Sequence, residues 1–168
     1  MATAQRRVVV TDANVLINLI HARALFLLGC LAGYEFIVVE EVVAEIIIPD
    51  QAAALTAAIG NGWIKQTRIE DSVSLALFAE LSAIMGRGEA ASLALAAAGD
   101  FDIACDEKRV FRREAVKRLG TDRILTTPGL FVLAIRAGTI TVEQADSAKV
   151  LLASKRFEMT FDSFKDVL

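Results

Sequence analysis

The stretch Arg7-Val8-Val9-Val10-Thr11-Asp12-Ala13-Asn14-Val15-Leu16-Ile17 decides how this chain is read. Three consecutive valines make a short β-branched run, the pattern of a strand buried on both faces. Asp12 ends that run, and apolar residues then recur at helical spacing over 13–20. Further strands are expected over 36–39, 63–66, 101–105 and 123–126. Helices are expected between them, over 24–31, 40–48, 51–59, 72–85, 89–98 and 107–119, and after them over 129–137 and 142–154. Strands alternating with helices imply a parallel sheet covered on both faces. The expected fold is α/β: a three-layer α/β/α sandwich with a mostly parallel central sheet of about five strands. One domain is expected over 1–158. The tail 159–168 has no clear period and is expected to bind a partner or to be mobile.

Composition sets the outer limits. With 168 residues, 55% of them hydrophobic, the chain can close one sizeable core. The net charge of −3 argues against binding nucleic acid by bulk charge alone, while leaving room for a local basic stripe. A mean hydropathy of +0.50 raises the question of a membrane. The longest stretch without a charged residue, 51–64, holds only 14 residues and is broken by Gly60, Asn61 and Gly62. A spanning helix needs about 18 or more apolar residues, so no membrane segment is expected. No signal peptide is read at the N-terminus. Cys30 and Cys105 lie in apolar segments and are expected to be buried thiols of a cytoplasmic protein.

In parallel α/β sheets, sites form at the carboxyl ends of the strands. Asp12 stands directly after the first strand and Asp106 directly after the fourth. Glu45 lies in the helix after the second strand. Glu89 lies in the first turn of a helix opened by Gly86 and Gly88. Each acid has an ordinary explanation: Asp12 and Asp106 as helix caps, Glu89 as a partner of the helix dipole, Glu45 as a solvated helix residue. Together they suggest more. Four carboxylates on one edge repel and raise each other's pKa, and a hard divalent cation relieves that repulsion. Oxygen-only ligands suit Mg²⁺ or Mn²⁺. Such ions activate water and stabilise the charge that develops on a phosphodiester. This chemistry needs no nucleophilic side chain, which fits a chain with one histidine.

Four segments resemble the signature blocks of PIN domains, in the family's order. They are Val8-Val9-Val10-Thr11-Asp12-Ala13-Asn14-Val15-Leu16-Ile17, Glu41-Val42-Val43-Ala44-Glu45-Ile46, Gly86-Arg87-Gly88-Glu89-Ala90-Ala91 and Ile103-Ala104-Cys105-Asp106-Glu107. The resemblance covers residues 7–137. The stretch Gly129-Leu130-Phe131-Val132-Leu133-Ala134-Ile135-Arg136-Ala137 is also similar to the helix that follows the last strand in one prokaryotic subgroup. The resemblance implies a Mg²⁺- or Mn²⁺-dependent nuclease, most often an RNase. Many such proteins are VapC-like toxins held inactive by a small antitoxin protein, and many are homodimers. By motif position, Asp12, Glu45, Glu89 and Asp106 take the catalytic and metal-binding roles, with Asn14 and Thr11 supporting. Glu89 departs from the pattern, since many members carry Asp there. Asp102 is expected at a strand start, away from this edge.

An RNA substrate needs positive charge near the acids. Lys108, Arg109, Arg112 and Arg113, read as i,i+4 pairs on one helix, supply it beside Asp106, and Arg87 adds another cation beside Glu89. The alternative for these cations is a solvated face paired with Glu107 and Glu114. Other function classes stay open. One is a catalytically silent PIN-like module that binds RNA or protein. Another is a phosphatase or DNase using the same acids. The loose pattern Gly86-x-Gly88-x-x-Ala91 follows a helix, not a strand, and so does not read as a dinucleotide site. His21 is read as a helix-face residue.

Overall fold

A computed structural model describes residues 5–168. Strand β1 (Arg7–Thr11) leads into helix α1 (Ala13–His21), with Asp12 as the single residue between them. The short α2 (Leu27–Cys30) precedes β2 (Tyr34–Val39), which runs straight into α3 (Glu40–Glu45). Then follow α4 (Pro49–Gly60), β3 (Lys65–Thr67), α5 (Ser72–Leu81) and α6 (Arg87–Gly99). The chain continues through β4 (Asp102–Ala104), α7 (Val110–Leu119), β5 (Ile124–Leu125), α8 (Thr127–Arg136) and α9 (Val142–Ser154).

The five strands form one sheet in the order β3-β2-β1-β4-β5, and every pairing is parallel. Val10 at the centre pairs with Ile37 on one side and Ile103 on the other. Helices cover both faces, which makes the α/β/α sandwich. The valine run is buried as its composition requires: Val9 and Val10 are fully enclosed, with Leu16, Leu19, Phe36, Ile103 and Phe131 around them. Each such side chain contributes about 1.5–3 kcal/mol on leaving water.

Strand order sets the place of the site. From β1 the chain first builds outward through β2 and β3, then returns to the other side of β1 with β4 and β5. The carboxyl ends of β1 and β4 therefore flank the point where the order reverses, where a crevice opens in sheets of this kind. The Asp12 N–H donates to the Ala104 carbonyl at 3.0 Å, tying the two strand ends together.

Several expectations need correction. The helix expected over 107–119 begins only at Val110, because Arg109 has a non-helical backbone (φ −103°, ψ −119°). Residues 107–109 form a loop, so the pairs 108/112 and 109/113 do not share a helix face. The helix expected over 24–31 shrinks to Leu27–Cys30, after Arg23 turns left-handed at φ 55°. The apolar face there is not free, since Leu25, Leu27, Leu28 and Leu31 are buried. Cys30 is exposed, and only Cys105 is a buried thiol. The third strand starts at Lys65, two residues later than expected, with Ile64 buried just before it. The segment 159–168 ends in a 3-10 turn over Phe164–Val167, and Phe164 is fully buried against Phe131. Among the described residues, no helix is long and apolar enough to cross a membrane.

Candidate active site

Asp12 occupies the N-cap position of α1 with an extended backbone, yet its side chain makes no capping hydrogen bond. It is 3% exposed, and its Oδ1 has no hydrogen-bond partner. The cap explanation therefore fails here. Burial pushes the Asp12 carboxyl up to about 7, and the charges of Glu89, Glu45 and Glu107 add to the rise. Glu89 is also raised, by burial first and then by Glu107 and Glu45. The charges of Glu45 and Glu107 thus bear on both Asp12 and Glu89, which places the four acids at one edge.

Two of them are seated by the backbone of α6. Glu45, the last residue of α3, accepts a hydrogen bond from the Gly88 N–H at 2.7 Å. The seat requires glycine: a Cβ at position 88 would lie 2.5 Å from Glu45 Oε2. Glu89 turns back so that its Oε2 accepts from the Gly86 N–H at 3.0 Å. Its helix-start role is therefore real, and its second oxygen is left over.

Asp106 behaves differently. Its Oδ1 accepts from the Thr127 N–H at 2.8 Å, and its Oδ2 accepts from Thr127 Oγ1 at 2.5 Å and from Asn18 Nδ2 at 2.9 Å. It ties β4 to the start of α8 and to α1, and it is not among the main charges raising Asp12. Asn14 joins the two groups. Its Nδ2 donates to Glu107 Oε1 at 3.0 Å, and its Oδ1 accepts from the Asp106 N–H at 3.4 Å. Asn14 thus supports the loop after β4, not Asp12. Thr11 ends β1 with its hydroxyl buried and without a partner.

Sequence reasoning misses Glu107, Asn18 and Thr127 as site residues. Glu107 is adjacent to Asp106 after a buried strand, a position that could have flagged it. Nothing local marks Asn18 or Thr127, since their roles arise from packing. Asp102 lies at the start of β4 as expected, in an ion pair with Arg7 at 2.7 Å.

The cations divide as well. Arg113 lies 3.7 Å from Glu114, and Arg118 contacts both Glu80 and Glu114. Arg87 is exposed, its guanidinium 5.2 Å from the Phe78 ring. Among the described residues, Lys108, Arg109 and Arg112 form no ion pair within 4 Å.

The donor set is all oxygen, concentrated and partly unsatisfied, and it suits a hard divalent cation by type. Among the described residues, no group of three or more acids, histidines or cysteines already has the arrangement of a metal shell. The acids would have to draw closer around an ion.

The fold and this edge define an α/β domain with a carboxylate site where its parallel sheet reverses order. A family model described as a PIN domain matches residues 8–160, and the chain belongs to that family. PIN domains are generally nucleases and typically use divalent metals, so the family is of nuclease type. Comparisons with curated proteins and with solved structures find no match.

Proposed function

We propose that this protein is a Mg²⁺- or Mn²⁺-dependent endoribonuclease, acting as the toxin of a toxin–antitoxin pair in the cytoplasm. The observation that carries the proposal is Asp12. A carboxylate with a partnerless oxygen, raised first by its burial and then by three neighbouring acids, is costly unless a cation completes it. Asp12, Glu45, Glu89 and Glu107 would hold the ion, with Asp106 bracing the wall behind them. When bound, a divalent ion lowers the pKa of water and offsets charge on the phosphodiester.

The chain's own residues do the rest. Asn14 fixes the Glu107 carboxylate. Thr127 and Asn18 hold Asp106, and through it the turn after β4. Gly88 orients Glu45. Lys108 and Arg112, beyond that turn, bind phosphates of the strand. A homodimer and a small antitoxin belong to the same proposal; the exposed Ile47, Ile48, Val73 and Ile84 offer apolar surface for either.

One observation favours a catalytically silent binding module: the acids do not stand preassembled as a metal shell. A cleavage assay separates the readings. Purified protein with Mn²⁺ is incubated with single-stranded and structured RNA and with matching DNA. The proposal expects RNA cleavage that EDTA stops and that Asp12→Asn reduces by roughly 100-fold or more, since loss of even an outer partner of a metal ligand costs about 10–100-fold. Soluble wild-type protein that leaves RNA intact, and whose expression leaves growth unaffected, contradicts it.

A further inference from the structure

Beside the acids lies a cleft of about 370 Å³ whose apolar far wall the catalytic reading does not use. Asp106 and Glu107 line it on the side of the acidic site, Lys108 and Arg112 supply positive charge, and Pro128 adds an apolar edge. Cys105 and Thr126 also line it, and the far wall is the segment 157–161, which brings Phe157, Met159 and Phe161.

That wall is held in place. The Asp146 carboxylate accepts from Ser163 Oγ at 2.7 Å and from the Phe164 N–H at 2.8 Å. The Phe164 ring is fully buried, and Phe161 packs edge-on against it with centroids 5.0 Å apart. Upstream, the Phe157 N–H donates to the Leu152 carbonyl at 3.0 Å. The tail is thus a strap that carries aromatic side chains to the edge of the acidic site.

We propose that this cleft receives one unpaired nucleobase of a single-stranded nucleic acid whose backbone crosses the acidic site. The proposal rests on the nuclease reading and deepens it. The volume lies at the small end of the range of about 300–1000 Å³ for ligand sites, which suits a flat ring system. Aromatic side chains offer stacking to any base, and the Met159 thioether adds apolar contact. Lys108 and Arg112 match the charge of the flanking phosphates. A base held in a duplex cannot enter such a cleft without leaving its stack, so the geometry selects single strands.

The test uses short single-stranded RNAs carrying either 2-aminopurine or an abasic ribose, moved one position at a time. Cleavage is followed with Mn²⁺ on the wild type and on Phe161→Leu. Met159→Ala serves as a second variant should the first melt early. Base fluorescence is followed on Asp12→Asn, with and without the Phe161→Leu change, and a DNA strand of the same sequence identifies which sugar the cleft accepts. Loss of a stacked base costs between about 5-fold and 150-fold. The wild type is expected to lose that much kcat/KM when the abasic residue occupies one particular position. Phe161→Leu is expected to slow cleavage of the intact strand without slowing the abasic strand further. If RNA is cleaved and no position senses the abasic residue, the cleft proposal falls while the nuclease reading stands. If no RNA is cleaved, the nuclease reading falls and fluorescence decides the cleft. Quenching that Phe161→Leu abolishes sustains base binding, and its absence overturns it. A cleft that takes an aromatic side chain of a protein partner leaves both RNA readouts flat, which also overturns the proposal.

Discussion

Replacing Asp12 with asparagine removes the most heavily buried acid of the site, and its effect on stability follows from the structure. The carboxyl rises from 3.8 to about 7 on folding, chiefly through burial. Between these values the folded state holds a proton that the unfolded state has released. Stability from this group therefore falls as pH rises from about 4 to about 7, and stays low above that. At about 1.4 kcal/mol per tenfold change, the full cost is about 4 kcal/mol. The asparagine side chain carries no charge, so in metal-free buffer Asp12→Asn should be more stable than wild type by about 4 kcal/mol at about pH 8. At about pH 5 most of the folded-state carboxyls are protonated, and the gain should shrink to about 2 kcal/mol. The assay is urea denaturation of both proteins at the two pH values with EDTA present. Adding millimolar Mn²⁺ should stabilise the wild type and narrow the gap at the higher pH, because an ion that binds the folded state adds stability by mass action. A variant less stable than wild type at the higher pH, or a gap that does not depend on pH, would refute the reasoning about Asp12.

The remaining predictions concern its neighbours. Gly88→Ala places a methyl 2.5 Å from Glu45 Oε2; the flexible carboxylate should swing away, so calorimetry should show Mn²⁺ affinity down by roughly 10-fold or more, while the melting temperature changes by only a few degrees. Glu107→Gln removes one charge that raises Asp12 and Glu89, so NMR titration of the metal-free protein should show both carboxyls titrating at lower pH, and RNA cleavage should fall. Thr127→Val deletes the buried hydroxyl that donates to Asp106 and should cost about 1–3 kcal/mol in urea denaturation, because the carboxylate loses a partner it has already been desolvated to meet. Arg112→Ala should lower the slope of log K against log salt for RNA binding by about 1, whereas Arg113→Ala, whose cation lies near Glu114, should change it less.

The fold is legible because its signals are local and repeated. The valine run of β1, the run Phe36–Val39 inside β2, and the glycines that open α6 each carry their own period or breaker, and all agree on a parallel sheet. Legibility weakens where tertiary contacts decide. Helix α7 starts only after the non-helical Arg109, and the loop before it carries Glu107 to Asn14, which helical periodicity in 107–119 does not reveal. Cys30 sits among apolar residues in sequence, yet the one-turn helix α2 leaves it facing outward. At the site, the motif positions lead to Asp12, Glu45 and Glu89, and the charges of the two glutamates bear on Asp12. Asp106 is more heavily bonded to Thr127 and Asn18 than a motif can show, and Glu107, legible only as the residue after Asp106, owes its place to the bond from Asn14. The tail shows no period because it is held by single anchors, Phe164 in the core and Asp146 on α9, not by a continuous face.

The most direct measurement of the central claim is Mn²⁺ binding to the full chain, by calorimetry and by anomalous scattering from soaked crystals, with a short single-stranded RNA present and absent. An ion is expected among Asp12, Glu45, Glu89 and Glu107, lost in Asp12→Asn and accompanied by RNA cleavage in the wild type. An acidic edge that stays empty at millimolar Mn²⁺, both alone and with RNA bound, would contradict it.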